Sequence, residues 1–244
     1  LMLYLSKGSR KVETNMFFFD QTYFLIIIGV ILSGIASSFV KSTYQKYSNV
    51  PNSNGYTATE VSRLILDSAG LQHVKIEAVR GDLTDHYDSS TDILRLSDAT
   101  RNSRSVAAIG VAAHEVGHAI QDQKQYIPLK LRSALVPATN FGQKISFPMI
   151  LLGVIFGYNQ TLINLGIIFF SVALLFQLVT LPVEFNASNR AIAILRDQHI
   201  LTSTEVPQAR KVLNAAALTY VAAAIASFLQ VLRLVLLFGG RRNN

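Results

Sequence analysis

Apolar residues run almost unbroken over positions 17–39, interrupted only by Asp20, Gln21 and small polar side chains, and the 23–40 portion has the length that a bilayer crossing needs. Further apolar runs downstream favour a membrane anchor at 16–40 over a removable leader. The preceding residues 1–15 are polar and basic, an N-terminal extension outside the fold. Residues 41–56 hold Pro51, Asn52, Ser53, Asn54 and Gly55 and predict a linker. Thr57 or Thr59 then caps an amphipathic helix with Val61, Leu64, Ile65 and Leu66 on one side, which Gly70 ends. Val74, Ile76 and Ala78 alternate with polar residues, and a turn over 88–92 separates His86-Tyr87 from the alternating 93–96 segment. This pattern predicts a small antiparallel β-sheet.

Ser103 or Ser105 opens a helix rich in Ala, Ile and Val that runs to about Gln123, and Pro128, Pro137 and Pro148 punctuate the stretch beyond it. Positions 147–183 are almost uncharged up to Pro182 and break at Tyr158-Asn159-Gln160, the pattern of a membrane hairpin whose short first arm spans or re-enters. Polar residues return over 184–214 in a helical segment, and 215–244 reads as a last transmembrane helix and tail. The expectation is a mainly α membrane protein, multi-pass in the cell membrane, with about four transmembrane or re-entrant helices. Residues 41–146 and 184–214 form its polar part.

Half of the 244 residues are apolar, which agrees with that class. The formal net charge of +7 suits nucleic acid, anionic lipid or the asymmetry of a membrane protein, and the apolar runs select the bilayer as partner, with no nucleic acid. Cysteine is absent, which excludes disulfides, thiol nucleophiles and Cys-ligated metals. Any metal must sit on His and carboxylates.

The Ala-rich helix carries His114-Glu115-Val116-Gly117-His118. Histidines four apart share one helix face, so His114 and His118 can direct ring nitrogens at one Zn2+ ion. Glu115 beside them can take a proton from the attacking water and deliver it to a leaving amine. A catalytic zinc usually has three protein ligands. No third histidine follows nearby, because Gln121 and Lys124 occupy the positions where an extended motif has Gly and His. Glu184, Asp197, His199 and Glu205 are the later candidates. Glu184 is favoured, since an acid placed directly after an apolar span is costly unless a cation compensates it; the competing reading pairs it with Arg190. The hairpin returns the chain to the same membrane face, as a shared metal requires. Lys41, Lys46, Lys144, Arg190 and Arg210 favour a cytoplasmic active site, whereas the basic 1–15 segment and Arg241-Arg242 argue the other way.

Four strings, 83–88 (Leu-Thr-Asp-His-Tyr-Asp), 111–120 around the pentad, 128–132 (Pro-Leu-Lys-Leu-Arg) and 181–188 (Leu-Pro-Val-Glu-Phe-Asn-Ala-Ser), resemble the YugP-type family of bacterial membrane zinc metallopeptidases. The resemblance runs from Met16 to the C-terminus. It implies zincin-like helices with His114, His118 and Glu184 as zinc ligands, Glu115 as base, and a zinc-dependent endopeptidase acting on peptides or membrane proteins. Related membrane proteases carry an Asp where this chain has Ser188, so the group that orients the histidines is open, with Asn186 a candidate. His86 and Tyr87 are candidate donors to an oxyanion, and the strand at 93–96 offers an edge to an extended substrate. The rival reading is a catalytically inactive membrane scaffold or adaptor on the same fold.

Overall fold

The computed structural model describes residues 20–239; the N-terminal extension and the start of the anchor lie outside the described residues. Among them, α1 (Tyr23–Ser48) is followed by α2 (Ala58–Ser68), β1 (Lys75–Val79), β2 (His86–Asp88), β3 (Ile93–Ser97), the single turn α3 (Asp98–Arg101) and α4 (Val106–Gln123). Three long helices complete the chain: α5 (Ile127–Ile155), α6 (Gln160–Asp197) and α7 (Val206–Phe238).

The helix starts follow the caps expected from sequence. Thr57 and Glu60 close a capping box on α2, and the Ser105 hydroxyl accepts from the Ala108 amide at the head of α4. Gly70 takes φ +76° just beyond α2, the left-handed turn that stops a helix. The linker is shorter than expected. α1 continues to Ser48 because Tyr47, buried, and Tyr44 pack against Ala107, Val111 and Val212, giving the polar end of the helix an apolar face to bury.

The sheet differs from the antiparallel expectation. Its order is β1-β3-β2, with β3 antiparallel to β2 but parallel to β1. Alternation reveals which face of a strand is buried but carries no strand order. β3 is central, and the 93–96 segment has neighbours on both sides rather than a free edge. β2 is the edge strand on that side.

Among the described residues three helices, α1, α6 and α7, are long and apolar enough to cross a membrane, against an expectation of about four transmembrane or re-entrant helices. α5 does not qualify, since Asn140, Gln143 and Lys144 interrupt its apolar run. The prolines also break nothing: Pro137 and Pro148 lie inside one continuous 29-residue α5. Close packing on α6 supports it. A Cβ on Gly142 would stand 2.7 Å from the Phe169 carbonyl oxygen, and one on Gly166 2.8 Å from that of Ser146, so both glycines let the two backbones touch. Asn159 caps α6 by accepting from the Thr161 and Leu162 amides.

α6 has 38 residues, a length of about 57 Å against a hydrocarbon core of about 30 Å. Its C-terminal turns therefore leave the apolar layer and enter the polar domain, where Ala191, Ile192 and Leu195 join the core around α4. α4 is the centre of that core, with Val106, Ile109, Ala112, Val116 and Ala119 fully buried. At the opposite end of the helices Arg233 of α7 pairs with Asp20 at 2.8 Å and lies over the Tyr23 ring, which compensates the one charge in the apolar stretch of α7.

Candidate metal centre

α4 and α6 touch where Gly117 faces Ala187: a Cβ on Gly117 would lie 2.8 Å from the Ala187 carbonyl oxygen. Flanking that contact, His114 and His118 project from one face of α4 and Glu184 from α6. Their tips converge. His114 Nε2 is 3.1 Å from His118 Nε2 and 3.2 Å from Glu184 Oε2, and His118 Nε2 is 3.6 Å from the same oxygen. A tetrahedral zinc with bonds of about 2.0–2.1 Å separates its ligand atoms by about 3.3 Å, so the triangle has the size of one face of that tetrahedron.

The tautomers point the same way. Gln121, fully buried, donates its amide to the Val183 carbonyl at 2.8 Å and to Asn186 Oδ1 at 3.0 Å, which leaves its Oε1 to accept from His118 Nδ1 at 3.0 Å. That places the ring proton on Nδ1 and the lone pair of Nε2 towards Glu184. His114 Nδ1 lies 3.0 Å from the Ser188 hydroxyl, which can accept in the same way. Two imidazole lone pairs and a carboxylate oxygen then face one another, an arrangement that repels itself unless a cation sits among them. The residues fit a zinc ion.

Of the candidates for a third ligand, only Glu184 joins the histidines. Asp197 is exposed against Arg196, His199 lies in the α6–α7 connection, and Glu205 accepts from Ser53 and Thr202. Arg190 does not pair with Glu184; it donates to Asn186 Oδ1 at 2.7 Å. The guanidinium on Glu184 is that of Arg132 from α5, 3.2 Å from Oε1, the oxygen that faces away from the histidines.

Glu115 follows His114 on α4, and its Oε2 accepts from the backbone amide of Tyr87 at 3.1 Å. Burial pushes its carboxyl above the ordinary range, the two imidazoles oppose that shift, and the Glu184 carboxylate adds to it. β2 is held in place by Asp85, whose carboxylate accepts from the Ser97 amide, the Ser97 hydroxyl and the Thr100 hydroxyl at 2.7–3.0 Å. The structure gives Tyr87 a backbone contact with Glu115, while its phenol is directed to Asp92 and Asp122 at 2.9 and 3.2 Å. Burial and those two acids raise the phenol above its usual pKa, so it stays a donor. The His86 ring is exposed, with Nδ1 on the Thr84 carbonyl.

A cavity of about 220 Å3 opens beside the triad, walled by Val40 and Tyr44 of α1, Asp85, His114, Glu184 and the α7 residues Val212 and Tyr220. Sequence reasoning missed Gln121 and Arg132 as partners of the site and left the group that orients the rings open, with Asn186 a candidate; the structure puts Gln121 and Ser188 on them. Two spacings carried the signal: Gln121 follows His118 by three, and Ser188 follows Glu184 by four, each on the ligand-bearing face of its helix.

Comparison with known proteins agrees with the geometry. Residues 22–239 match the family described as "Putative neutral zinc metallopeptidase". The chain is 48% identical over 222 residues, 91% of its length and 98% of the relative's, to the "Putative membrane protease YugP" of Bacillus subtilis (strain 168). No solved structure matches the chain.

Proposed function

Since this chain belongs to the neutral zinc metallopeptidase family, we propose that it is a membrane-embedded, zinc-dependent endopeptidase that cleaves peptides or membrane proteins beside the bilayer. The observation that carries this reading is the convergence of His114, His118 and Glu184 with Glu115 next to His114 on the same turn of α4. A bound Zn2+ supplies Lewis acidity, polarising the scissile carbonyl and making water a stronger acid. Glu115 takes the proton of the attacking water and returns it to the leaving amine as the peptide bond breaks. The Tyr87 amide holds the carboxylate in place for both transfers. Gln121 and Ser188 fix the imidazoles, and Arg132 balances the charge of Glu184.

Glu115→Gln tests the assignment. The variant should retain zinc and lose proteolysis of a membrane-tethered peptide by at least about 1,000-fold, at the upper part of the range for a general base. Full activity in that variant refutes the mechanism. Equal cleavage of tethered and soluble peptides, with no gain from tethering, refutes the membrane substrate.

The site is proposed to face the cytoplasm, supported by Lys41, Lys46, Arg190 and Arg210 near helix ends on its side. The chain lacks cysteine, so a single introduced thiol reports its own side. Ser89→Cys should resist a membrane-impermeant maleimide in intact cells while Thr161→Cys reacts, and the reverse pattern overturns the orientation.

A further inference from the structure

A second and larger cavity, about 720 Å3, lies between α1, α6 and α7 and is separated from the metal-site cavity by Ala217, which lines both. Its α1 wall consists of Phe39, Ser42, Thr43, Lys46 and Tyr47, which recur every three or four positions and so form one stripe of that helix. Its α7 wall consists of Lys211, Asn214, Ala217 and Leu218, a second such stripe. α1 and α7 run antiparallel, as the Asp20 to Arg233 pair at their other ends requires. The two stripes therefore share one gradient: an ammonium at the polar end, hydroxyl or amide groups next, and an aromatic or branched apolar side chain towards the apolar layer.

The distances suit an amphiphile. Lys46 is seven residues from Phe39, and Lys211 seven from Leu218, which puts each ammonium about 10 Å along the axis from the apolar end. The apolar run of α1 ends at Val40, so Phe39 sits at the edge of the hydrocarbon and the lysines stand in the headgroup layer. Phe39, Phe185 and Leu218 are 43–49% exposed, an apolar floor that continues onto the lipid-facing surface. Among the described residues neither Lys46 nor Lys211 has an acidic partner; Lys46 lies over the Tyr47 ring. Paired cations without acids above an exposed apolar floor complement a single negative headgroup with its acyl chains.

We propose that this groove binds one anionic phospholipid, its phosphate between Lys46 and Lys211 and an acyl chain along Phe39, Phe185 and Leu218, one helix turn from the metal-site cavity. The proposal needs α1 and α7 to lie in a bilayer but does not depend on zinc or proteolysis. The test is native mass spectrometry of the full chain in detergent, titrated with phosphatidylglycerol or phosphatidylcholine. The first phosphatidylglycerol should bind at least ten-fold more tightly than phosphatidylcholine. Lys46→Gln/Lys211→Gln should abolish that preference, whereas Lys41→Gln/Arg210→Gln, which removes the same charge elsewhere, should leave it. Zinc content and thermal stability of both variants, equal to those of the parent, establish that they fold. Equal affinity for the two lipids, or equal loss in both double variants, overturns the proposal. Displacement of the bound lipid by millimolar inorganic phosphate, or by an acidic peptide, also overturns it by showing a site for a free anion or for substrate.

Discussion

Gln121→Leu removes the amide that orients His118 while keeping the side chain close to its original size, and its effects should divide unequally between folding and metal binding. In the folded protein Gln121 accepts from His118 Nδ1 at 3.0 Å and donates to the Val183 carbonyl and to Asn186 Oδ1. The two acceptors lose little. Asn186 Oδ1 keeps Arg190 Nε at 2.7 Å, and the Val183 carbonyl lies inside continuous α6, where it also accepts the helical bond. The metal-free protein should therefore lose only about 1–2 kcal/mol. His118 has no such substitute, because its Nδ1 proton would face a methyl group, the ring could turn, and the other tautomer would withdraw the Nε2 lone pair from the site. Loss of such an orienting contact typically costs 10- to 100-fold in metal affinity, about 1.4–2.7 kcal/mol. Zinc dissociation constants from competition with a chromogenic chelator, set beside thermal unfolding of the metal-free chain, separate the two effects. Gln121→Glu keeps the acceptor towards His118 but sets a carboxylate against two acceptors, so it should bind zinc as well as the parent and be less stable without it. A zinc affinity within two-fold of the parent in Gln121→Leu would refute the orienting role.

Gly117→Ala should cost about 1–3 kcal/mol through overpacking against the Ala187 carbonyl and should weaken zinc binding, since it forces apart the helices that carry the ligands. Gly34→Ala, whose Cβ meets nothing within 4 Å, should leave both unchanged; equal effects of the two substitutions on zinc would show that α4–α6 contact does not set the site. Glu205→Ala should destabilise by about 2–3 kcal/mol, because the buried carboxylate accepts from the Ser53 amide, the Ser53 hydroxyl and the Thr202 amide at 2.6–2.9 Å. Burial pushes that carboxyl up, but those donors outweigh it and leave the group below its ordinary value. Its contribution is thus present above the unfolded pKa and fades as pH falls through the folded one, so acid unfolding curves of parent and variant should converge at low pH. Curves separated by a constant gap down to low pH would contradict this.

The candidate site was legible where it is local. His114, Glu115 and His118 lie within one helical turn, and the abrupt appearance of Glu184 after an apolar run marked it as compensated. Partners that arrive by tertiary packing left a weaker trace. Arg132 reaches Glu184 from a different helix, across 52 positions in sequence. Gln121 is buried among Ala and Ile, where an amide is informative only once its helix is known to be the core. Strand segments were legible from alternation, but the parallel pairing of β1 with β3 was not, since alternation carries no strand order. The prolines misled for a physical reason. Pro137 and Pro148 remove intrahelical donors, yet α5 packs along α6 closely enough to continue through both.

Zinc content of the purified chain beside its Glu184→Ala variant tests the central claim most directly. The parent should hold about one zinc per chain, and Glu184→Ala should lose it while retaining its helical content, because two imidazoles alone leave a catalytic site one ligand short. Zinc absent from the parent, or retained in full by Glu184→Ala, would contradict a metal centre formed by His114, His118 and Glu184.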